Sequence, residues 1–176
     1  MTINDDSVSC IINAAICALR EVYAPDSESP PLGGGSGEVR FFAGDAPGNE
    51  LWDAHYAGCG CDKPFLWVRL MRRYRTLDFP NEYVGPSNCG HPKAIALELG
   101  VARCASMEVE TSWEVRQQEA KIALDDSWRI ELAMCRAGAR AMASNCADNF
   151  ALDAIIPAGP EGGVISWLGT AYFQIG

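Results

Sequence analysis

The chain has 176 residues, 48% of them hydrophobic, with 14 basic against 23 acidic side chains and a formal charge of −9. That length suits one domain able to bury about 70% of its extended surface, and the apolar content excludes extensive disorder. The acidic balance excludes nonspecific affinity for nucleic acid, which needs clustered Lys and Arg against phosphates.

The opening Met-Thr-Ile-Asn-Asp-Asp is acidic where a secretory signal needs positive charge. The apolar part of the first periodic segment, Ile11 to Leu19, is too short to span a bilayer, and no later segment is long enough. A soluble product made in the cytoplasm is the expectation. The eight cysteines (Cys10, Cys17, Cys59, Cys61, Cys89, Cys104, Cys135 and Cys146) are then expected to be reduced at synthesis. Cys10, Cys17, Cys104 and Cys135 fall inside periodic elements, where a free thiol packs as a small hydrophobe.

Asp5, Asp6 and Ser7 offer N-caps for a first helix through about Tyr23. Val8, Ile11, Ile12, Ala15, Leu19 and Val22 share one face of it, which predicts packing on a sheet. Pro25 ends it. Residues 24–37 hold Pro25, Pro30, Pro31 and the run Gly33-Gly34-Gly35, and read as a long flexible loop. Neither a Lys-Ser/Thr pair nor a helix follows the glycines, so the loop lacks the parts of a phosphate cradle.

Glu38 to Ala43 reads as a strand, and residues 44–64 as a second long loop carrying Trp52, His55 and Cys59-Gly60-Cys61. Phe65 to about Thr76 is a strong strand. Its even positions Leu66, Val68, Leu70 and Tyr74 form the expected buried face, and its odd positions Trp67, Arg69, Arg73 and Arg75 the partly exposed one. After a Pro-rich loop from Asp78 to Pro92, Ala94 to Cys104 alternates Ile95, Leu97, Leu99 and Val101 with small residues, as a third strand does.

Thr111 to about Ala143 predicts one long helix of roughly 48 Å. Thr111 and Glu114 have capping-box spacing. Leu124, Trp128, Leu132, Cys135, Ala139 and Met142 form an apolar stripe, opposed by Arg116, Glu119, Asp126, Arg129 and Arg136. Gly138 is its weak point, costing about 1 kcal/mol relative to Ala. Phe150 to Ile156, a Pro-Ala-Gly-Pro-Glu-Gly-Gly turn and Val164 to Ile175 describe a closing β-hairpin. The order α-β-β-β-α-β-β gives an α+β fold: an antiparallel sheet of about five strands with two helices on one face, in a single domain spanning 1–176.

Chemistry-bearing residues are few. Cys59, Cys61, Cys89 and His91 lie at loop ends and could converge on zinc, although both pairs are spaced more tightly than is usual. A disulfide formed after release from the cell and plain packed thiols are the other readings. Cys89 and His91 could share a face as a thiolate–imidazole pair, but ordinary loop residues explain them more simply. Asp125-Asp126 reads as part of a solvated helix face. No catalytic, cofactor-binding or metal residue is assigned. Arg69, Arg73 and Arg75, beside Arg72, and Trp52 in the second loop are the candidate subunit-interface residues.

From about Gly37 to Gly176 the sequence resembles head-to-tail connector proteins, often described as tail terminators, of long-tailed phages of actinobacteria. The phrases that carry the resemblance are Cys-Asp-Lys-Pro-Phe-Leu-Trp-Val-Arg-Leu from Cys61, Asp-Phe-Pro from Asp78 and Leu-Gly-Val-Ala-Arg-Cys-Ala from Leu99. Ala-Met-Cys-Arg-Ala from Ala133 and Gly-Pro-Glu-Gly-Gly from Gly159 complete them. The resemblance implies a non-enzymatic virion protein, in a ring usually sixfold, at the head-tail junction. Its partners would be identical subunits, the tail tube protein and the connector or stopper of the neck, with phage DNA passing through an acidic lumen. A stopper or adaptor of the same neck is the nearest alternative. From another class, the alternative is a small cytosolic metal-binding or thiol enzyme using Cys59, Cys61, Cys89 and His91.

Overall fold

Three long runs of alternating or wholly apolar residues build the centre of the sheet. In the computed structural model, which describes residues 6–42, 44, 49–86, 88–106, 108 and 110–176, they become β2 (Phe65–Arg75), β3 (Lys93–Cys104) and β5 (Val164–Ile175). A short β1 (Val39–Phe42) and a long β4 (Asn149–Glu161) form the edges, in the order β1-β2-β3-β5-β4. The helices are α1 (Asp6–Val22), α2 (Asn49–Cys59) and α3 (Trp113–Ala143). Asp5, proposed as an N-cap, lies outside the described residues.

The α+β class stands, but two features of the expected topology are corrected. β1 pairs with β2 in parallel, Val39 opposite Leu66 through Phe42 opposite Arg69, so the sheet is mixed. Parallel neighbours need a crossover of about a dozen residues or more, and the stretch between these two strands supplies it. That stretch, read as a loop over 44–64, also contains α2, a third helix. Its periodic signal is weak because Leu51 and Tyr56 face solvent while Trp52 and His55 turn to the sheet, where both rings pack on Phe65.

α1 and α3 cover one face of the sheet, as expected. They run antiparallel: the start of α1 meets the end of α3 through a Cys10–Cys146 disulfide, and Tyr23 hydrogen-bonds the Asp126 carbonyl. α1 buries Val8, Ile11, Ala15, Leu19 and Val22 as its pattern predicts. α3 does not. Its buried face is Ala123, Asp126, Ile130, Ala133, Met134, Ala137, Gly138 and Ala141. The stripe read as its core face points to solvent, with Trp128 69% and Leu124 59% exposed.

The physical reason is backbone proximity. Phe150 occupies the space a Cβ on Gly138 would need, and Met134 does the same at Gly169 on β5. Small residues let α3 settle closely onto β4 and β5, so the Gly138 helix penalty is offset by contact. A Leu/Trp face would hold the helix away. The cap also moves by one residue: Ser112 is the N-cap and accepts from the Val115 N–H, whereas Thr111 donates to the Glu108 carbonyl. Glu114, bonded to its own backbone N–H and to Ser112, has its carboxyl held below the ordinary range.

β2 departs from strict alternation as well. Phe65 to Arg69 are all buried, because that half of the strand is covered on both faces. A register shift between Leu70 and Arg72 then reverses the facing, so Tyr74 joins Ala94 and Ala96 rather than the cluster holding Leu66 and Val68. On the face away from α1 and α3, Trp67 lies over Gly100, its register partner on β3. Gly100→Ala would drive a methyl into that indole, and we expect a loss of about 1–3 kcal/mol in unfolding free energy by urea denaturation.

Candidate functional site

Two buried ion pairs organise what the surface can offer. On β2 and β3, Arg69 and Glu98 are cross-strand partners; the guanidinium binds both carboxylate oxygens at 3.0 and 2.6 Å, and the Trp67 indole donates to the same carboxylate at 2.9 Å. Arg69 also donates to the Gly44 carbonyl. It is 8% exposed, so of the four proposed interface residues this one faces inward. The odd positions of β2 are therefore not a uniform solvent face. Arg73 is exposed, Arg75 is half-buried and donates to the His91 carbonyl at 2.8 Å, and Trp52 is half-buried against Phe65 at 6.5 Å between ring centres.

The second pair joins β3 to α3. Arg103 binds both oxygens of Asp126 and also donates to the Gly33 and Gly34 carbonyls. Asp126, read as solvated, is 3% exposed. Burial pushes its carboxyl above the ordinary value, and the hydrogen bond and charge of Arg103 oppose that shift. Arg129 binds Asp125 and the carbonyls of Val22, Ser29 and Pro30, while Asp125 accepts from the Leu32 N–H. The loop at 24–37, expected to be flexible, is thus clamped onto α3. Its glycines serve close approach: a Cβ at Gly33 would strike Arg103, and one at Gly35 the Tyr23 carbonyl.

The proposed zinc set does not assemble. Cys61 is bonded to Cys104, with Cα atoms 5.6 Å apart, and the side chain of Cys59 lies outside the described residues. Cys89 is an exposed free thiol on a 3-10 turn, and His91 packs edge-on against Tyr83 at 4.9 Å. Among the described residues no group of three or more His, Cys, Asp or Glu side chains could hold a metal. Cys10 and Cys104 are disulfide-bonded rather than packed thiols, and Cys17 and Cys135 are exposed. His55 bonds the Lys63 carbonyl at 2.9 Å and packs edge-on against Phe65.

Two of the surface concavities bear on the candidate interface residues and the exposed stripe. A groove of about 710 Å³ runs between the end of α1, the clamped loop and α3; its apolar floor includes Trp128, Leu132 and Cys135, and its walls carry Glu21, Glu28, Asp125 and Glu131. A cleft of about 420 Å³ lies where β2, β3 and the end of β5 meet, lined by Arg73, Arg75 and Lys93 with Tyr83 and Val84. The cleft holds two of the proposed interface arginines. The groove was missed because its apolar stripe looked like core, and a stripe of that length has the same period whichever way it faces. No helix among the described residues is long and apolar enough to cross a membrane.

In comparisons with known proteins, no family model and no curated protein matches this chain.

Two outcomes are expected from these arrangements. Asp126 binds its proton more tightly in the folded chain than at the unfolded value of 3.8, so its contribution favours folding below that value and is lost as pH rises through the window up to the raised folded pKa. Arg103→Met removes the counterion and widens that window. Denaturant melts should show a deficit of about 3–5 kcal/mol at neutral pH, as for a stranded buried charge, shrinking as the pH is lowered. Peptide mapping of air-oxidised, unreduced protein should recover Cys10 linked to Cys146 and Cys61 linked to Cys104, with no stoichiometric zinc; one zinc per chain with Cys61 unlinked would restore the metal reading.

Proposed function

We propose that the chain is a non-enzymatic structural protein that assembles with copies of itself into a ring, and that this ring joins the head and tail of a long-tailed phage, capping the tail tube as a terminator. The single observation that carries the assembly reading is the exposed stripe Leu124, Trp128 and Leu132 on α3, the longest helix. Single exposed hydrophobes are ordinary, but a contiguous row around a large aromatic marks a surface that becomes buried on association. The head-tail assignment comes from the resemblance of residues 37–176 to such proteins.

The fold supports this reading in two further ways. Clamping of the 24–37 loop by Arg103, Asp125 and Arg129 gives a preformed contact surface, so less conformational entropy is lost on association. The acidic balance of −9 suits a conduit through which DNA moves without adhering. In the rival thiol or metal reading, Cys59, Cys61, Cys89 and His91 act together, and the Cys61–Cys104 bond removes one of the four.

Negative-stain microscopy of the purified chain should show closed rings, and labelling of the chain in intact particles should fall at the head-tail junction. Trp128→Glu should shift the assembled species toward monomer by at least about thirtyfold in dissociation constant, as loss of a central aromatic anchor does (about 2 kcal/mol or more). Label elsewhere in the particle, or in none, would sink the head-tail assignment.

A further inference from the structure

Resting on the ring reading, we infer that the occupant of the α1–α3 groove is the β2–β3 connection of the next copy, inserted head to tail. The two surfaces complement each other in charge. The groove is lined by four carboxylates, Glu21, Glu28, Asp125 and Glu131, against two guanidiniums, Arg129 and Arg136. Both guanidiniums are already engaged, Arg129 with Asp125 and Arg136 with Glu21. Glu28 and Glu131 make no ion pair among the described residues, so the groove presents net negative charge. The cleft has the opposite balance: Arg73, Arg75 and Lys93 against Glu82. Glu82 is itself bonded to Arg72 at 2.7 Å. In a chain of net charge −9, this local basic excess stands out.

Apolar surface matches in the same way. The β2–β3 connection lifts Val84 (85% exposed) and Leu77 (59% exposed) into solvent beside the basic cleft. The groove offers an apolar floor at Trp128 and Leu132 ringed by carboxylates. Val84, in the same cleft as Arg75 and Lys93, thus gives an apolar tip beside cations that fits an apolar floor beside anions, the pattern of a buried centre with a polar rim. On the connection itself Glu82 is paired to Arg72, and Asp78 is bonded to the Asn81 amide. The two surfaces belong to different parts of the chain. A contact between them is therefore heterologous, the type that generates a ring when its repeated rotation closes. A two-fold dimer would instead place groove against groove, carboxylates facing carboxylates.

The free thiol of Cys135 supplies the test, because it is exposed and lines the groove. Val84→Cys in the full chain, oxidised mildly and run without reductant, should give a ladder of covalent multimers that disappears when Cys135→Ser is added. Charge reversal provides a second reading on exposed positions that leave the core intact. Arg73→Glu with Lys93→Glu, or Glu28→Lys with Glu131→Lys, should each shift the mass seen by light scattering to monomer. Mixing the two variants should restore assembly in alternating order, because the reversed cleft of one fits the reversed groove of the other and their unaltered groove and cleft still match. A chain that assembles while the ladder is absent, or survives Cys135→Ser, overturns this contact and leaves the ring reading standing. A chain that stays monomeric at every concentration, with no ladder, overturns both.

Discussion

Close seating of α3 on the sheet is the constraint from which the other features follow. Ala133, Ala137, Gly138 and Ala141 bring the helix axis down onto β4 and β5, with Met134 filling the space above Gly169 and Phe150 that beside Gly138. Packing of this kind gains dispersion contacts across its whole length. It also decides the rotation of the helix about its own axis. Once the small face is inward, Leu124, Trp128 and Leu132 have no choice but to face outward, and a helix with two plausible apolar faces leaves one of them for a partner.

Rotation of α3 is further pinned by charge. Asp126 sits on the inward side only because Arg103 reaches it from β3, and a buried carboxylate without that partner would be costly. The same arginine collects the Gly33 and Gly34 carbonyls, and Arg129 collects three more from the α1 end and the loop behind it. Two guanidiniums therefore do for the 24–37 segment what backbone pairing does for a strand: they satisfy its carbonyls and give it one conformation. Polar ties of this sort favour a unique arrangement more than they add stability. The wall of the groove is one product of that uniqueness.

The opposite face of the sheet shows how a long strand can serve two environments. Through Arg69, β2 is buried on both sides, with Glu98 and Trp67 sharing one hydrogen-bonded set. Beyond the irregularity at Leu70 and Arg72 the strand emerges, and Arg73 and Arg75 reach the basic cleft. One run of arginines in the sequence thus divides into an internal structural member and external ones. The Cys61–Cys104 bond holds the connection after α2 to the end of β3.

By itself the sequence determined the α+β class, the positions of α1, β2 and β3, the presence of the closing hairpin (although β4 runs on to Glu161, through most of the residues read as its turn) and the core face of α1, because each rests on a periodic signal several turns or residues long. Arg73 and Arg75 were also legible as surface cations. Three things only the tertiary structure decided. The inward face of α3 depended on which stripe a glycine-lined sheet would accept, a property of Gly169 and Phe150 rather than of the helix. The parallel seating of β1 depended on α2, whose local pattern is too faint to separate from loop. The fates of Arg69, Asp126 and Cys61 depended on partners 29, 23 and 43 residues away. A local pattern can show that a residue is charged or apolar, but only the folded chain brings the distant group that buries it, pairs it or leaves it facing water.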